Sequence, residues 1–576
     1  MKKSVALLLA GLTSVTALAS CGGKVVNTYD ENKTQIYVTI FNGGAGTTWI
    51  EKIRDEFNAK ETEYEVILDY GKPSAGTIIE EIELDNISAD CYFTSSINFQ
   101  KGIYRDYFED LSDVLDMEVD GAGNGKVKDK MKNYNNWQAM ASKNGEGCYI
   151  VPYLDAIMGL VYDHDLFVEK EYLSFATAAD EAALSAQGIS YEEKTEYGTT
   201  YLIYKSATGK TNYAAGDKIL TAGKDGKFGT YDDGQPKSEA EFDNMINLIV
   251  NGNDQAKSFI YSGMYDHYNN TQAHAIAAQY VGPDMFNNML AFNTGGQEIE
   301  MYDGSYAAVE LNEGYKVFQS KGIYEGLRFI NKYMNSSSVH PSSMNIGSYS
   351  HTDAQNDFIL SYKNSTGYPA MLVEGLWWEN EAKAMFAEVE NAGRGYGQVN
   401  YRYMLLPAIE GQKGIDGNGN GTVFTVSDTG GIVVVKQEDA EKLAKIKEFL
   451  AMTLTDEVMK NFTKDTGIMR PYDYDMSEED LSGMSKFARN AWEIYSDEEN
   501  IELVRFGVTR YAQPIFFTTD MHNTYIPITN NNQISDSYLR VLRNVGGAEA
   551  AMGTMSYDSV KWDAFLAEAK RQGFYK

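Results

Sequence analysis

The apolar and polar positions at the start of the chain's body alternate between a strand pattern and a helix pattern. Residues 36–41 are a β-rich run, and a glycine-rich segment at 42–46 interrupts it. Trp49, Ile53 and Phe57 then recur at the spacing of one helix face. This pattern predicts a strand that leads into an amphipathic helix.

The same alternation continues along the next part of the chain. A β-rich run at 64–70 precedes a helical pattern at 78–84, and a third apolar run occupies 90–93. The order strand, helix, strand, helix, strand predicts an α/β fold with right-handed crossovers and a largely parallel sheet.

Three polar residues lie where these strands end. Asn42 follows the first strand, and Thr94 and Ser95 follow the third. Because ligands bind beyond the carboxyl ends of parallel strands, these residues are candidate ligand contacts. A cap or turn role is an equally good interpretation for each of them.

Two later regions predict strands that cross between lobes or fill a core. Short apolar runs at 148–153 and 159–163 flank a polar turn, which is typical of a crossing. Tyr153 and Asp155 lie at this crossing and are further candidate ligand contacts. Residues 430–435 form another apolar run, which predicts a buried strand.

Residues 170–235 are polar and weakly periodic, and we interpret them as an insertion. Near its end, Asp225, Asp232 and Asp233 stand among glycines. Clustered carboxylates with glycines can bind Ca²⁺, so this loop is a candidate structural calcium site, with a polar turn as the alternative. The segment 416–421 resembles half of an EF-hand loop but lacks its glutamate, which favours a turn.

The first residues predict the compartment. Two lysines precede an apolar run that is too short to span a bilayer, and residues 18–21 resemble the bacterial lipobox. We therefore expect a lipoprotein signal peptide at 1–20, lipidation of Cys21 and a polar tether at 21–33. This predicts attachment to the extracellular face of the cell membrane, as in Gram-positive lipoproteins. An ordinary cleaved signal peptide is the alternative.

Composition narrows the function classes. The chain has 82 acidic and 50 basic side chains, for a formal net charge of −32. Nucleic acid is excluded as a partner, because binding phosphates needs a basic surface. Cys91 and Cys148 either pair or remain two thiols. Zinc, serine-hydrolase and P-loop motifs are absent from the sequence, so we expect no enzyme activity and no required cofactor.

Four stretches in a fixed order carry a resemblance to a known family. They are the strand that ends at residues 41–42, the segment 89–93, the run 149–162 and the segment 370–377. Together they resemble the extracellular solute-binding proteins of ABC importers, family 1, which bind sugars. The resemblance implies a two-lobed, periplasmic-binding-protein-like fold of type II, with a hinge and a ligand cleft between the lobes.

The resemblance also implies lobe boundaries and a function. Lobe 1 would comprise 34–160 and 428–472, and lobe 2 would comprise 161–427 and 473–576. The protein would be a monomer that captures a carbohydrate, expected to be an oligosaccharide, by hinge closure. It would deliver the sugar to the permease subunits of an ABC importer.

The segment 374–378 holds the strongest candidate for sugar binding. The resemblance places an aromatic residue of the cleft at Trp377, and sugar rings pack their C–H faces on indole. Trp378 and Gly375 are further candidates, although we expect one tryptophan of the pair to pack in the core. Glu374 either accepts hydrogen bonds from hydroxyls or is a solvated loop carboxylate. Arg470, near the predicted hinge, either contacts ligand or forms a structural ion pair.

Two other functions fit an acidic, aromatic-rich lipoprotein. A glycan-degrading enzyme would need a pair of carboxylates at the scissile bond, but carboxylates are too numerous here for the sequence to identify such a pair. A surface adhesin would bind a macromolecular glycan without closing a hinge.

Overall fold

A computed structural model describes most of the chain after the predicted tether. It covers residues 29–554, except 45, 72, 96–105, 143–145, 208–212, 506–528, 531–532 and 535–536, together with 562–564, 566–567 and 570. The predicted signal peptide, Cys21 and most of the tether lie outside the described residues. Among those described, no helix combines the length and the apolarity needed to cross a membrane.

Fifteen strands are present in the described residues. Their bounds are β1 (Thr34–Phe41), β2 (Tyr64–Gly71), β3 (Cys91–Thr94), β4 (Val151–Asp163), β5 (Ile189–Glu196), β6 (Thr199–Ala207), β7 (Lys257–Ile260), β8 (Glu298–Glu300), β9 (Tyr306–Ala308), β10 (Pro369–Gly375), β11 (Tyr401–Met404), β12 (Thr422–Val434), β13 (Ile501–Val504), β14 (Thr529–Asn530) and β15 (Gln533–Ile534).

The described residues also form α-helices between and after these strands. Their bounds are α1 (Thr48–Lys60), α2 (Ala75–Glu83), α3 (Ser112–Leu115), α4 (Tyr134–Ala141), α5 (His164–Glu169), α6 (Glu181–Ala186), α7 (Glu239–Asn251), α8 (Asn270–Val281), α9 (Pro283–Leu290), α10 (Lys321–Met334), α11 (His351–Leu360), α12 (Trp378–Glu381), α13 (Lys383–Val389), α14 (Ala440–Thr453), α15 (Asp456–Thr466), α16 (Glu478–Ser482), α17 (Lys486–Ser496), α18 (Tyr538–Val545) and α19 (Ala548–Thr554).

The central sheet is mixed rather than largely parallel. Seven strands follow the order β2-β1-β3-β12-β4-β10-β7. In addition, β11 pairs with β4 and β13 pairs with β12. β1 runs parallel to β2 and β3, as the alternation of strands and helices predicted. β12, however, runs antiparallel to both of its neighbours β3 and β4. The prediction of a largely parallel sheet was therefore wrong in the middle, where a strand from late in the chain inserts.

Two long strands run from one side of the molecule to the other. The first half of β4 pairs with β12, and its second half pairs with β10 and β11. The pairing of β12 with β4 is shifted between Val426 and Asp428 and again between Gly430 and Gly431. Such irregularities bend a strand and increase its twist, so β12 carries local bends where the two sides of the molecule meet.

The first helix shows why the sequence pattern places helices on the sheet. Trp49, Ile53 and Phe57 are all buried on α1, and this face packs into the first hydrophobic core. The ring of Trp49 makes edge contacts with Phe93 at 6.0 Å and with Phe462 at 5.0 Å between centroids. The predicted apolar face of this helix is confirmed.

The insertion forms a small unit with its own core. The strands β5 and β6 make an antiparallel hairpin, and a separate hydrophobic cluster includes Leu184, Leu202 and Phe228. The hairpin escaped prediction because most side chains of β5 are exposed, which removes the alternation of buried and polar positions.

One partly buried lysine joins the insertion to the start of β12. The Nζ atom of Lys224 donates hydrogen bonds to the carbonyl oxygens of Leu406 and Gly421 at 3.0 Å each, and to Oγ1 of Thr422 at 2.6 Å. Burial lowers the pKa of Lys224 to about 7. The insertion is therefore docked at the start of β12.

The two cysteines of the body are not joined by a disulfide. Cys91 and Cys148 are each buried as a thiol. Burial raises the pKa of the Cys91 thiol well above its usual range, which makes this sulfur a poor nucleophile.

Candidate functional site

A cavity of about 160 Å³ lies where the ends of several central strands meet the helices beyond them. Its walls combine the loop after β1, the middle of β4 and the turn between β10 and α12. The residues that line it are Phe41, Gly43, Ser95, Leu154, Ala156, Tyr268, His351, Trp377, Glu381 and Ile468. These positions come from both of the lobes that the sequence predicts.

Trp377 forms the aromatic wall of this cavity. β10 ends at Gly375, and the indole of Trp377 folds back over that glycine, where a Cβ atom would lie 2.3 Å from the ring. The ring also makes an edge contact with Tyr268 at 6.3 Å between centroids. Trp377 keeps only 9% of its surface exposed, so its orientation is fixed before anything binds.

Trp378 lies in the core and not at the cavity. Its side chain is fully buried, and its ring makes contacts with Phe358, Phe386, Tyr401 and Phe487. The expectation that one tryptophan of the pair packs in the core therefore applies to Trp378. Its proposed role in ligand binding has no support in this geometry.

A hydrogen-bonded network of polar side chains lies beside Trp377. His351 Nε2 lies 3.2 Å from Oε1 of Glu381. Gln355 Nε2 donates to Oε2 of Glu381 at 2.8 Å and to Oε1 of Glu374 at 3.1 Å. The second oxygen of Glu374 accepts the backbone N–H of Gly375 at 2.9 Å. The amide of Gln355 therefore links Glu381, which lines the cavity, to Glu374, which does not.

Glu374 is the acid behind the wall. Its side chain is 1% exposed, and burial raises its pKa to about 8. It is therefore largely a neutral carboxylic acid at pH 7, and it does not line the cavity. Glu374 was predicted to contact the ligand directly. In the structure it is linked to the cavity only through Gln355, which also bonds Glu381.

Replacing Glu374 with glutamine is expected to change how stability depends on pH. The pKa in the folded state is above its ordinary value of 4.5, so the contribution of protonated Glu374 is complete below pH 4.5. It is lost as the pH rises towards 8, by about 2 kcal/mol between pH 6 and pH 8. Denaturant unfolding of wild type and Glu374→Gln over pH 5–9 should show their difference change by this amount. A constant difference would contradict the prediction.

The residues predicted at strand ends lie in different surroundings, and only some of them line the cavity. Ser95 lines the cavity, whereas the side chain of Asn42 is exposed outside it. Thr94 is fully buried within the sheet, where it pairs with Gly431. Gly375 lies directly under the Trp377 ring, which leaves no room for a larger residue.

Asp155 belongs to a buried network at the crossing rather than to the cavity. Its carboxylate accepts Nε of Arg505 at 2.6 Å and the hydroxyl of Tyr495 at 3.2 Å. Its backbone N–H donates to Met469 O at 2.8 Å. Burial raises the pKa of Asp155, and Arg505 opposes that rise. These contacts join β4 to the segments on either side of it.

Tyr153 and Arg470 are core residues. The ring of Tyr153 packs on Phe93 at 5.2 Å between centroids. The guanidinium of Arg470 lies 5.5 Å from the ring of Trp49 and 5.2 Å from that of Phe462, and Nη1 donates to Thr453 O at 2.9 Å. Arg470 forms no ion pair among the described residues, because aromatic faces and a carbonyl surround the cation.

The candidate calcium loop is held by its own backbone. The carboxylate of Asp232 accepts the N–H groups of Lys224 and Asp225, and that of Asp233 accepts the N–H of Gly229. Burial raises the pKa of Asp225 to about 6 and that of Asp233 to about 7. The described part of the chain contains no group of three or more His, Cys, Asp or Glu side chains arranged to hold a metal ion. Asp225 and Asp232 nevertheless lie close together, and the charge of Asp232 contributes to the raised pKa of Asp225.

The segment 416–421 folds as the expected turn. Oδ1 of Asp416 accepts the backbone N–H groups of Asn418 at 2.7 Å and Asn420 at 3.1 Å. These hydrogen bonds, with one from the Asn420 side chain, lower the pKa of Asp416 to about 2.

Solved structures share this architecture over nearly the whole chain. A structure from work on xylan utilization by the thermophilic bacterium Caldanaerobius polysaccharolyticus has a TM-score of 0.54 at 12% identity, and covers 90% of this chain and 98% of its own. The sugar-binding protein MalE from Xanthomonas citri has a TM-score of 0.51 at 14% identity, and covers 94% and 98%. A chitin oligosaccharide binding protein has a TM-score of 0.50 at 12% identity, and covers 91% and 99%.

The chain has the fold of the periplasmic sugar-binding proteins. This confirms the predicted fold class. No protein-family model and no curated protein sequence matches the chain.

Eight of the ten residues that line the cavity were not among the predicted ligand contacts. Those with aromatic or ionisable side chains are Phe41, Tyr268, His351 and Glu381. Glu381 had a usable signal, because it lies one helical turn after Trp377, and its N–H donates to Trp377 O at 2.9 Å. Tyr268 and His351 had none, since only the folded chain brings residues so far apart in sequence to one wall.

Proposed function

We propose that the protein is a solute-binding protein that captures a carbohydrate in the cavity beside Trp377. The single observation that supports this most is the buried indole of Trp377 in the cavity wall, next to the hydrogen-bonding side chains of His351 and Glu381. A sugar ring needs both a flat apolar surface and polar partners at its edge. The fold shared with sugar-binding proteins supports the same function.

A thermal-shift screen with mono- and oligosaccharides tests the proposed binding. A ligand that binds the native state raises the unfolding midpoint by mass action, by about 2.7 kcal/mol of stability at a hundred times its Kd. Isothermal titration should then give a stoichiometry of one sugar per chain. A complete set of plant, bacterial and fungal glycans without any shift would reject the proposal.

The capture mechanism that we propose is hinge closure. Leu154 and Ala156 of β4 line the cavity, and the pairing of β4 with β12 is irregular next to them. A sugar that contacts both walls stabilises the closed arrangement over the open one. Small-angle scattering should show compaction when the sugar from the screen is added. Binding without compaction would count for a surface adhesin.

Gly44 provides a test of the contact between the loop after β1 and α12. It has a φ of +94°, and a Cβ added there would lie 2.8 Å from Cβ of Glu381. Gly44→Ala should therefore hinder closure and weaken sugar binding by roughly tenfold.

Gly46 is the matched control for Gly44. It lies in the same loop with a φ of +86°, and an added Cβ would meet nothing within 4 Å. Gly46→Ala carries the same backbone strain without the contact to Glu381. Equal losses of affinity in the two variants would show that strain, and not closure, is responsible.

The two acidic residues at the cavity suggest a second candidate function, that of a glycan-degrading enzyme. Glu381 and Glu374 are two linked carboxyl groups, and the pKa of Glu374 is raised to about 8, as in a general acid. Glu374 is nevertheless buried behind the wall, so its proton cannot reach a glycosidic oxygen in the cavity. Chromatography of oligosaccharides after long incubation with the protein should show no new products.

We also propose lipid anchoring at Cys21 and delivery of the sugar to an ABC permease. The support is the lipobox-like sequence before Cys21 and the tether that follows it. Labelling with a fatty-acid analogue in the native bacterium should give a labelled band for wild type and none for Cys21→Ser. Label on the Cys21→Ser protein would reject this anchor.

A further inference from the structure

The carboxylate of Glu381 gives the cavity a definite charge. Glu381 lines the cavity, with 19% of its side chain exposed. Among the described residues of the lining, none is lysine or arginine, and His351 is the basic group nearest to the carboxylate. A ligand in this cavity therefore meets one anion and no permanent cation.

Glu381 is also fixed in place. Oε1 is held by His351 at 3.2 Å, and Oε2 is held by Gln355 at 2.8 Å. On the far side, the loop at Gly44 lies against Cβ and Cγ of Glu381. Because the side chain is held on three sides, it cannot swing away from a ligand that repels it.

A fixed carboxylate distinguishes ligands by their charge. A hydroxyl group donates to such an oxygen, whereas a second carboxylate or a phosphate at the same distance is repelled. Inside a partly enclosed cavity this repulsion is screened less than at the surface.

We propose that Glu381 is a specificity-determining residue, which restricts the cavity to uncharged saccharides and rejects those that carry uronate or phosphate groups. This rests on the proposed function, since it names the class of sugar that the same cavity accepts. The Glu374 proton adds to the effect, because a neutral acid behind Gln355 leaves Glu381 as the fixed negative charge of this network.

The test uses neutral saccharides of one to four units, each paired with its counterpart in which the primary alcohol is oxidised to a carboxylate. For every pair, calorimetric titration gives the ratio of the two dissociation constants. We expect wild type to bind a neutral member about 100-fold more tightly than its uronate. This ratio tests the proposal without any variant.

The variant Glu381→Gln should reduce that ratio to about tenfold or less, chiefly by improving uronate binding. The control is Glu388→Gln, which removes the same charge from an exposed position of α13 and should leave the ratio unchanged. Unfolding midpoints of all three proteins confirm that they are folded.

The outcomes separate this proposal from the proposed function. If wild type binds uronates as tightly as neutral sugars, or if Glu381→Gln leaves the ratio intact, the role of Glu381 is rejected while sugar binding stands. If neither member of any pair binds, sugar binding is rejected and the role of Glu381 falls with it.

Discussion

The variant Trp377→Ala is expected to lose roughly 100-fold in sugar affinity, equivalent to about 2.7 kcal/mol. The indole is the largest apolar surface in the cavity wall, and its orientation is fixed by Gly375 and Tyr268. Its loss removes the contact with the sugar's C–H face and leaves a void that water fills. Calorimetric titration with the sugar found by screening measures the loss, and circular dichroism checks the fold.

The neighbouring tryptophan is the control for this prediction. Trp378→Ala removes a fully buried ring from a cluster of four aromatic residues, so it should cost about 3–5 kcal/mol of unfolding free energy. Where that variant fails to fold, Trp378→Phe retains enough volume for a binding measurement. Sugar affinity should survive in it. Loss of affinity in Trp378→Phe with none in Trp377→Ala would reverse the two assignments.

Breaking the buried pair of Asp155 and Arg505 should cost as much stability as Trp378→Ala. Arg505 keeps 10% of its side chain exposed and Asp155 none, so removing the carboxylate leaves an almost buried cation unpaired. We expect Asp155→Ala to lower the free energy of unfolding by about 3–5 kcal/mol. Denaturant titration at pH 7 measures this loss.

Two further variants show whether the loss comes from the unpaired charge. The double variant Asp155→Leu with Arg505→Met removes both charges and should be more stable than Asp155→Ala, because no cation is left buried. The exposed pair of Lys126 and Asp116 is the control, and Lys126→Ala should cost under about 1 kcal/mol. A double variant as unstable as the single one would assign the loss to packing.

The local part of the fold could be predicted, since local patterns determine it. The buried face of α1 follows from Trp49, Ile53 and Phe57 alone, and the strands β1 to β3 follow from runs of β-rich residues. The direction of β12 could not be predicted in the same way. Its antiparallel pairing with β3 depends on contacts between residues that are hundreds of positions apart.

The site could be predicted only where one residue type implies one role. The flat indole pointed to sugar binding, and only the family resemblance favoured Trp377 over Trp378. Arg470 was misread because its surroundings, the rings of Trp49 and Phe462, come from distant segments. In sequence, nothing distinguishes Glu381 from other acidic residues. Its fixed position in the cavity wall depends on hydrogen bonds with Gln355 and His351, which are distant in sequence.

The central position of β12 also determines when the chain can fold. β3 and β4 are neighbours in sequence, yet β12 lies between them in the sheet. Until residues 422–434 have been synthesised, the middle of the sheet lacks a strand and the cores on both sides stay open. Contacts of such long sequence separation make folding slow. The central sheet of the growing polypeptide is therefore completed only after about three quarters of the chain has been made.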